Sequence, residues 1–488
     1  MNKAFLSLFL FLLIYQTNAQ DTLFLSLNRA LEMAEKNSLD AFRNKNMYLA
    51  SYWEFRSYKA SRLPSLDLNF RPVDFRRTTI KRYDSQQDIE VYREQQTYES
   101  YANLSFTQNV PLTGAKIYID SDLSRLVNVG DNDLTTYSAT WARIGIVQPL
   151  FGYNRFKWEK KLEPLKFEKA KKEYIQNMQN TKIKVLNLYF ELLLAKTRKE
   201  IALANRAASD TLYKIGKKKF EILSVQREEL LDLELAKFNA GIEAVKARQD
   251  EEKANFNLTS FLGLDKNTVI IAQTPEINNN LQINIDSALQ TAIRNNPEIL
   301  KIQQARIEAD RDLDQAVKEN RFKMDLTASF GLNQYGDALQ SAYTNPLDQE
   351  IVLFGIRVPI LDWGNRKGKK LMAEKNKEVI YIEQEQKMKD FEQNILLKVM
   401  DFNLQSKLVE SALRANRIAQ ESYKLTKKRF MLGKADVLKI NTAMQARQNA
   451  HEKYINSIYT YWKYYYEIQK LTLFDFASNK NIELEIEE

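Results

Sequence analysis

The sequence predicts a mixed α and β membrane protein made of two internal structural repeats, and three observations carry that expectation. First, a helical stretch recurs. LSLNRALEMAEKNS at Leu25 to Ser38 and INIDSALQTAIRNN at Ile283 to Asn296 superpose at an offset of 258, setting Ala30 on Ala288, Leu31 on Leu289, Ala34 on Ala292 and Asn37 on Asn295. Such self-similarity is the mark of a duplicated architecture. Second, each copy then turns to dyad alternation over about ten residues, the pattern of a barrel strand with one lipid-facing side or of an ordinary half-buried sheet. Third, Lys369 to Leu432 contains no glycine or proline, and as one helix it would measure about 96 Å at roughly 1.5 Å per residue.

The elements follow in order. Residues 1–19, MNKAFLSLFLFLLIYQTNA, have Lys3 before an apolar core from Ala4 to Tyr15 and small residues Thr17 and Ala19 before a cut, which reads as a secretory signal peptide. The first repeat takes residues 20–264. It opens on a helix and enters strands at about 66–149, where Leu66, Leu68 and Phe70 alternate with Asp67, Asn69 and Arg71. Four strands are expected there: Leu66 to Arg71, Tyr101 to Val110, Lys116 to Leu126, and a less regular one from Tyr137 to Val147. A helical hairpin over 157–262 with its tip near 221–228 closes the repeat. A linker, 265–282, precedes the second repeat at 283–475. Its strands at about 324–359 set Met324, Leu326, Ala328, Phe330 and Leu332 against Asp325, Thr327, Ser329, Gly331 and Asn333. Its hairpin covers 366–473 with a tip near 431–436, and residues 476–488 form an acidic tail.

The offset falls to 210 at QPLFGYNR and VPILDWGNR, where Pro149 meets Pro359, and holds from Phe220 on Phe430 to Phe256 on Tyr466. The first repeat therefore carries 48 extra residues among its strands. These residues either form an extended hairpin beyond the membrane or make a larger barrel, and the polar run KRYDSQQDIEVYREQQTYES, expected to be a solvated loop, favours the first. Along the long helix Met388, Phe391, Ile395, Val399 and Phe402 step by three or four, so one stripe faces partners.

Composition excludes several function classes. There is no cysteine, so no disulfide frame, thiolate nucleophile or cysteine-bound metal. The single histidine, His451, lies among Gln448, Asn449 and Glu452 and reads as a solvated surface group; no catalytic site, metal site or cofactor is expected. Scattered methionines such as Met33, Met47 and Met178 give no relay for soft metals. The formal charge of +9 is spread through interleaved Lys, Arg, Glu and Asp, which marks solvated helix faces, and no nucleic-acid partner is expected.

In order, duplication and spacing, the paired openings, the QPLFGYNR and VPILDWGNR junctions and KKRFMLGKADVL resemble the TolC-like outer-membrane efflux family over essentially the whole mature chain. The resemblance implies a homotrimer sharing one outer-membrane β-barrel of 12 strands, four from each chain, continued by a long periplasmic α-helical barrel. A few strands per chain cannot close a barrel alone, and lipid tolerates no open edge. It further implies an outer-membrane localisation, a periplasmic adaptor (membrane fusion protein) and an inner-membrane RND or ABC transporter. The chain would then be the passive exit duct of a tripartite efflux system, with type I protein secretion as the alternative. A rival of another class is a secreted structural coiled-coil protein.

The resemblance also places the working residues. The second tip has Phe430, Gly433, Lys434 and Asp436, where glycine ends one helix and the aspartate caps the next. The first tip keeps Phe220 but has Leu223 in the glycine position, leaving Ser224 or Gln226 to cap. Such tips form the entrance and dock the adaptor. Some relatives keep acids six and nine residues after the tip glycine; here Lys439 and Thr442 stand there, with Glu229 and Asp232 in the first repeat, and a Glu229–Lys439 pairing across helices would hold the entrance closed. At the strand-to-helix junctions Pro149, Phe151, Tyr153, Pro359, Trp363 and Gly364 either anchor at the membrane interface or pack the bend.

Overall fold

The computed structural model describes residues 22–129, 133–223, 225–278, 280–432 and 434–483. The expected signal peptide, Ser224, Gly433 and the end of the acidic tail lie outside them. In chain order the elements are β1 (Thr22–Leu25), α1 (Leu27–Asn37), α2 (Leu39–Ser61), β2 (Ser65–Asp84), β3 (Ile89–Val110), β4 (Ala115–Val129), β5 (Leu134–Leu150), α3 (Arg155–Glu221), α4 (Arg227–Leu262), β6 (Val269–Ala272), α5 (Ile285–Asn295), α6 (Pro297–Glu319), β7 (Lys323–Gly336), β8 (Leu347–Arg357), α7 (Asn365–Met431), α8 (Val437–Thr472), β9 (Phe474–Asp475) and β10 (Lys480–Asn481). The helices match pairwise in length: α1 and α5 have 11 residues, α2 and α6 23, α3 and α7 67, α4 and α8 36. The matched openings are capped alike. Ser26 Oγ accepts the Arg29 N–H at 3.4 Å, and Asn284 Oδ1 accepts the Ser287 N–H at 2.9 Å, so each short helix starts where a side-chain oxygen satisfies its first free amides.

The chain divides into two compact units, each drawing on both halves of the sequence. One comprises residues up to Tyr48, Ala170–Ile299 and the chain from Met388. Its core is the buried stripe of α7, Phe391, Ile395, Val399 and Phe402, set with Val185, Leu186, Tyr189 and Phe190 of α3 and Tyr461 and Tyr465 of α8. The Phe402 ring centroid lies 5.1 Å from that of Tyr461. Each large apolar side chain removed from water in this way contributes on the order of 1.5–3 kcal/mol, which is what holds helices of this length together.

The same unit holds a two-stranded parallel sheet, β1 against β6, which the sequence reading did not anticipate; β6 lies within the expected linker. Tyr189 ties it down. Its buried hydroxyl stands 2.6 Å from the Gln273 carbonyl and 2.9 Å from the Leu25 carbonyl, and accepts the Gln273 N–H at 2.9 Å. Burial pushes this phenol up to about 12, so it stays a neutral donor across the physiological range.

The other unit comprises Leu49–Lys169 and Leu300–Lys387. It contains one antiparallel sheet of six strands in the order β2-β3-β4-β5-β7-β8. Two expectations are corrected here. The polar run from Lys81 to Ser100 is not a loop: Tyr83 pairs with Glu90, Lys81 with Tyr92 and Thr79 with Glu94, and only a short turn interrupts the strands. Nor does the extra hairpin stand outside the sheet, because Ser65 to Arg71 pairs with Thr107 to Tyr101 and Val110 pairs with Ala115, so β2 and β3 join at the same level as the rest. Among the described residues the sheet thus has six strands, four from the first repeat and two from the second. Beyond Gln96, where β3 loses β4 as a partner, β2 and β3 continue as a two-stranded ribbon.

The irregularity of β5 is a β-bulge. Pairing with β7 shifts between Thr140 and Ala142, leaving Trp141 as the extra residue. Its indole N–H donates to the Ala342 carbonyl at 3.2 Å and its ring stacks on Tyr343. A bulge of this kind re-aims one side chain and strengthens the local twist.

Candidate functional site

Three regions carry the expected working residues: the sheet faces, the hairpin tips and the strand-to-helix junctions.

Side chains alternate across the sheet, and its two faces differ chemically. Direct cross-strand pairs carry an apolar row through Leu66, Phe106, Ile119, Ile144 and Phe330, which meets Glu350 on the edge strand β8. These side chains are 42–65 % exposed although strongly apolar. One residue along, the row on the opposite face reads Asp67, Ser105, Asp120, Arg143, Gly331 and Gln349. There Arg143 donates to both carboxylate oxygens of Asp120, at 3.0 and 2.5 Å, and Asn103 Nδ2 donates to the same carboxylate at 3.2 Å. Two-pronged Arg–carboxylate pairing is among the stronger polar contacts, and it staples β3, β4 and β5 on their hydrophilic side. Along these rows one face of the sheet is mainly apolar and the other polar.

The two tips end the hairpins in the unit that holds the helical core. Phe430 is buried at 4 % exposure beside Tyr423, Ile440 and Met444 of its own hairpin and Ala208, Leu212 and Leu233 of the other. The ammonium of Lys219 sits 5.5 Å from the Phe430 ring centroid. Phe220, by contrast, is only half-buried. At the first tip Leu223 takes φ 59° and is 92 % exposed, a left-handed conformation that costs a leucine roughly 1–2 kcal/mol. Its N–H closes a tight turn on Phe220 O at 3.0 Å. At the second tip the Lys434 N–H reaches back to Arg429 O at 2.9 Å, the six-to-one bond of a Schellman ending.

Both returning helices are capped by charge. Asp436 Oδ1 accepts the Lys439 N–H at 2.7 Å. That amide, with help from the Lys439 ammonium 3.4 Å away, holds the carboxyl below its usual range. In the first hairpin Gln226 is the N-cap residue, and Glu229 Oε2 reaches back to its N–H at 3.3 Å. Glu229 and Lys439 form no ion pair with each other within the chain, since each serves its own cap. Asp232 and Thr442 are exposed, and the Thr442 hydroxyl donates to Leu438 O at 2.9 Å.

At the junctions Phe151 and Trp363 both adopt positive φ, 61° and 54°, and Gly364 follows at 87°. Phe151 meets Phe322 edge-on at 5.8 Å, whereas Trp363 is 90 % exposed. Pro149 pairs with Asp325 one residue before the end of β5, Tyr153 is half-buried, and Pro359 follows β8. Asn154 caps α3 through the Lys157 N–H at 3.2 Å. In α7 the equivalent work falls to Asp362, whose carboxylate accepts the Gly364 and Arg366 N–H groups at 3.1 Å each. Sequence reasoning passed over Asp362; its signal was an acid three residues before the helix start.

His451 is a further correction. It is half-buried in a cleft of about 280 Å³ with Glu200, Tyr423 and Arg447, and its Nδ1 is buried without a hydrogen-bond partner. Burial pushes the imidazole below its ordinary value against the pull of Glu200, with Arg447 adding to the depression. No cluster able to hold a metal ion occurs among the described residues, and no described helix is long and apolar enough to cross a membrane.

Two apolar stripes are left uncovered on the long helices. On α4, Leu231, Leu235, Phe238, Ile242 and Val245 are 54–67 % exposed; on α7, Leu397, Met400, Leu404 and Leu408 are 46–55 % exposed. Spacings of three and four residues are those of a packing seam, and uncovered patches of this extent mark contact surfaces.

No family model and no curated protein matches the sequence. Solved structures do. The Campylobacter jejuni CmeC outer membrane channel superposes with a TM-score of 0.63 at 14 % identity, over 91 % of this chain and 85 % of that one. The outer membrane protein VceC from Vibrio cholerae gives 0.62 at 13 % identity over 92 % and 95 %, and the outer-membrane channel OprN 0.64 at 13 % over 91 % and 89 %. The chain has the TolC-like outer membrane factor fold.

Proposed function

With the TolC-like outer membrane factor fold as premise, we propose that this protein is the outer-membrane channel of a tripartite efflux system, a passive exit duct assembled from three copies. The observation that carries the reading is the two-faced sheet. Its apolar face suits lipid and its polar face, with the Asp120–Arg143 staple, suits a water-filled lumen, as in barrels that span the outer membrane. The same chain supplies 67-residue helices, roughly 100 Å long at about 1.5 Å per residue, with apolar stripes on α4 and α7 that neighbouring copies would cover. Matched helix lengths support the duplicated plan, in which each half contributes one hairpin to a periplasmic tunnel.

In such a duct no bond is made or broken. An inner-membrane transporter supplies the energy and a periplasmic adaptor docks at the tips, around Phe220, Leu223, Phe430, Lys434 and Asp436. The entrance ring of Glu229, Asp232, Lys439 and Thr442 carries mixed charge, so it should select less strongly for cations than an all-acidic ring. Membrane fractionation with gels run before and after heating tests the assembly. The expected result is an outer-membrane trimer that dissociates on heating, and a soluble monomer would sink the reading. Pull-down from the cell envelope should recover an adaptor and a transporter together. For the ring, Lys439→Asp should shift the reversal potential toward cation selectivity; an unchanged potential removes these residues from the gate.

A further inference from the structure

Among the described residues β2 and β8 are the edges of the six-stranded sheet. We propose that β8 of one copy pairs with β2 of the next, in a register copied from the internal β5–β7 contact, so that three chains close an 18-stranded barrel. The inference rests on the trimeric channel reading above and adds the strand number and the register.

The internal contact is the template because it joins the end of the first half to the start of the second, and the subunit contact would join the end of the second half to the start of the first. Within the chain Ile146 pairs with Ala328, Gln148 with Leu326 and Leu150 with Met324. Carrying β5 forward by 210 and β7 back by 258, the sequence offsets between the halves, sets Ile356 opposite Phe70, Val358 opposite Leu68 and Ile360 opposite Leu66. Three independent features agree with that register. All six side chains are apolar and 57–95 % exposed in the single chain, and the four that lie in strands, Leu66, Leu68, Phe70 and Ile356, fall on the face that carries the apolar row. The directions fit as well, since β2 and β3 are antiparallel, as is every later pair to β8, which leaves β8 running opposite to β2.

The third feature is where the strands stop. β5 extends to Leu150 because β7 pairs with its last three residues, which lie beyond the reach of β4. β8 ends at Arg357, and its counterparts of those residues, Val358, Pro359 and Ile360, carry no strand. The missing extension is what a missing partner would leave.

The strand number sets the bore. With strands about 4.8 Å apart and tilted about 40°, 18 strands give a backbone radius of roughly 18 Å where 12 would give about 12 Å. The cross-section roughly doubles.

The chain has no cysteine, so introduced thiols report alone. Directly opposite residues of an antiparallel pair have Cα atoms about 4.5–5.5 Å apart, within disulfide reach. Leu68→Cys with Val358→Cys should give a covalent trimer on oxidation, seen on nonreducing gels. The competing design leaves β2 and β3 out of the barrel wall and pairs β8 with β4; Ser121, which shares the level of Leu68 through Leu104, would then be the partner. A covalent trimer from Ser121→Cys with Val358→Cys overturns the inference, and so do heat-sensitive trimers in which neither pair cross-links. Both of those results leave the channel reading standing. Recovery of only soluble monomer takes down both.

Discussion

The hairpins α3–α4 and α7–α8 agree in helix length to the residue, 67 and 36 in each, yet they turn by different chemistry. The second turn uses a Schellman bond and an aspartate cap. The first holds Leu223 in a left-handed conformation and caps with Gln226 and the reach-back of Glu229. Helix length is set by packing along the shared seam, where Leu233 of one hairpin and Phe430 and Ile440 of the other sit in a single cluster. The turn needs only to return the chain at the right level. Leu223 shows how far that tolerance goes: the structure around it sustains a strained backbone that a glycine would adopt freely.

The largest expected effect would break the apparent equivalence of Phe220 and Phe430, which align at the offset of 210. Phe430 is buried and Phe220 half-buried. Phe430→Ala should therefore cost about 3–5 kcal/mol through cavity formation, and Phe220→Ala roughly half as much or less. Hydrogen exchange of amides in the two tips reads this directly: the first substitution should loosen both tips, because its cluster spans both hairpins, and the second mainly its own. Equal loosening would mean that the two phenylalanines do the same work despite their burial.

A smaller effect sharpens the comparison of turns. Leu223→Gly relieves the left-handed strain but adds freedom to the unfolded chain, for a net gain of about 0.5–1 kcal/mol in local stability. Slower exchange or slower proteolytic nicking at the first tip is the expected outcome, and faster nicking would show that the exposed Leu223 side chain contributes more than its backbone costs.

How much of this was legible beforehand follows the same physical line. The α7 stripe Phe391, Ile395, Val399 and Phe402 was visible because burial imposes a period near 3.6, and the proximal strands because one of their faces is apolar. The distal part of β2 and β3 was not, since Arg76, Thr78, Arg77 and Thr79 are polar on both faces and alternation leaves no trace in hydropathy. β1 and β6 were missed because four residues each are too few for any period to register. Asp436 could be placed from cap chemistry, whereas at the first tip that chemistry left Ser224 and Gln226 as alternatives and the N-cap is Gln226. The His451 cleft could not, because the groups that bury it, Glu200 and Tyr423, are distant in sequence.

The last difference between the tips is that the N-cap residue of the second is an acid and that of the first is not. The Asp436 carboxyl is held below its usual range by the Lys439 amide and then by the Lys439 ammonium, while the Gln226 side chain does not titrate. A carboxylate whose folded pKa is depressed contributes stability that is present above its unfolded value, near 3.9, and is lost as pH falls through the folded value. Below about pH 4 the first turn of α8 should fray, seen as faster exchange of the Lys439 and Ile440 amides, and the fraying should reverse on neutralisation. Asp436→Asn keeps a capping oxygen but removes the charge, so it should abolish the acid step while leaving the helix start intact at neutral pH. If the acid step persists in Asp436→Asn, the charge of the Asp436 cap is not what holds the first turn of α8 against acid.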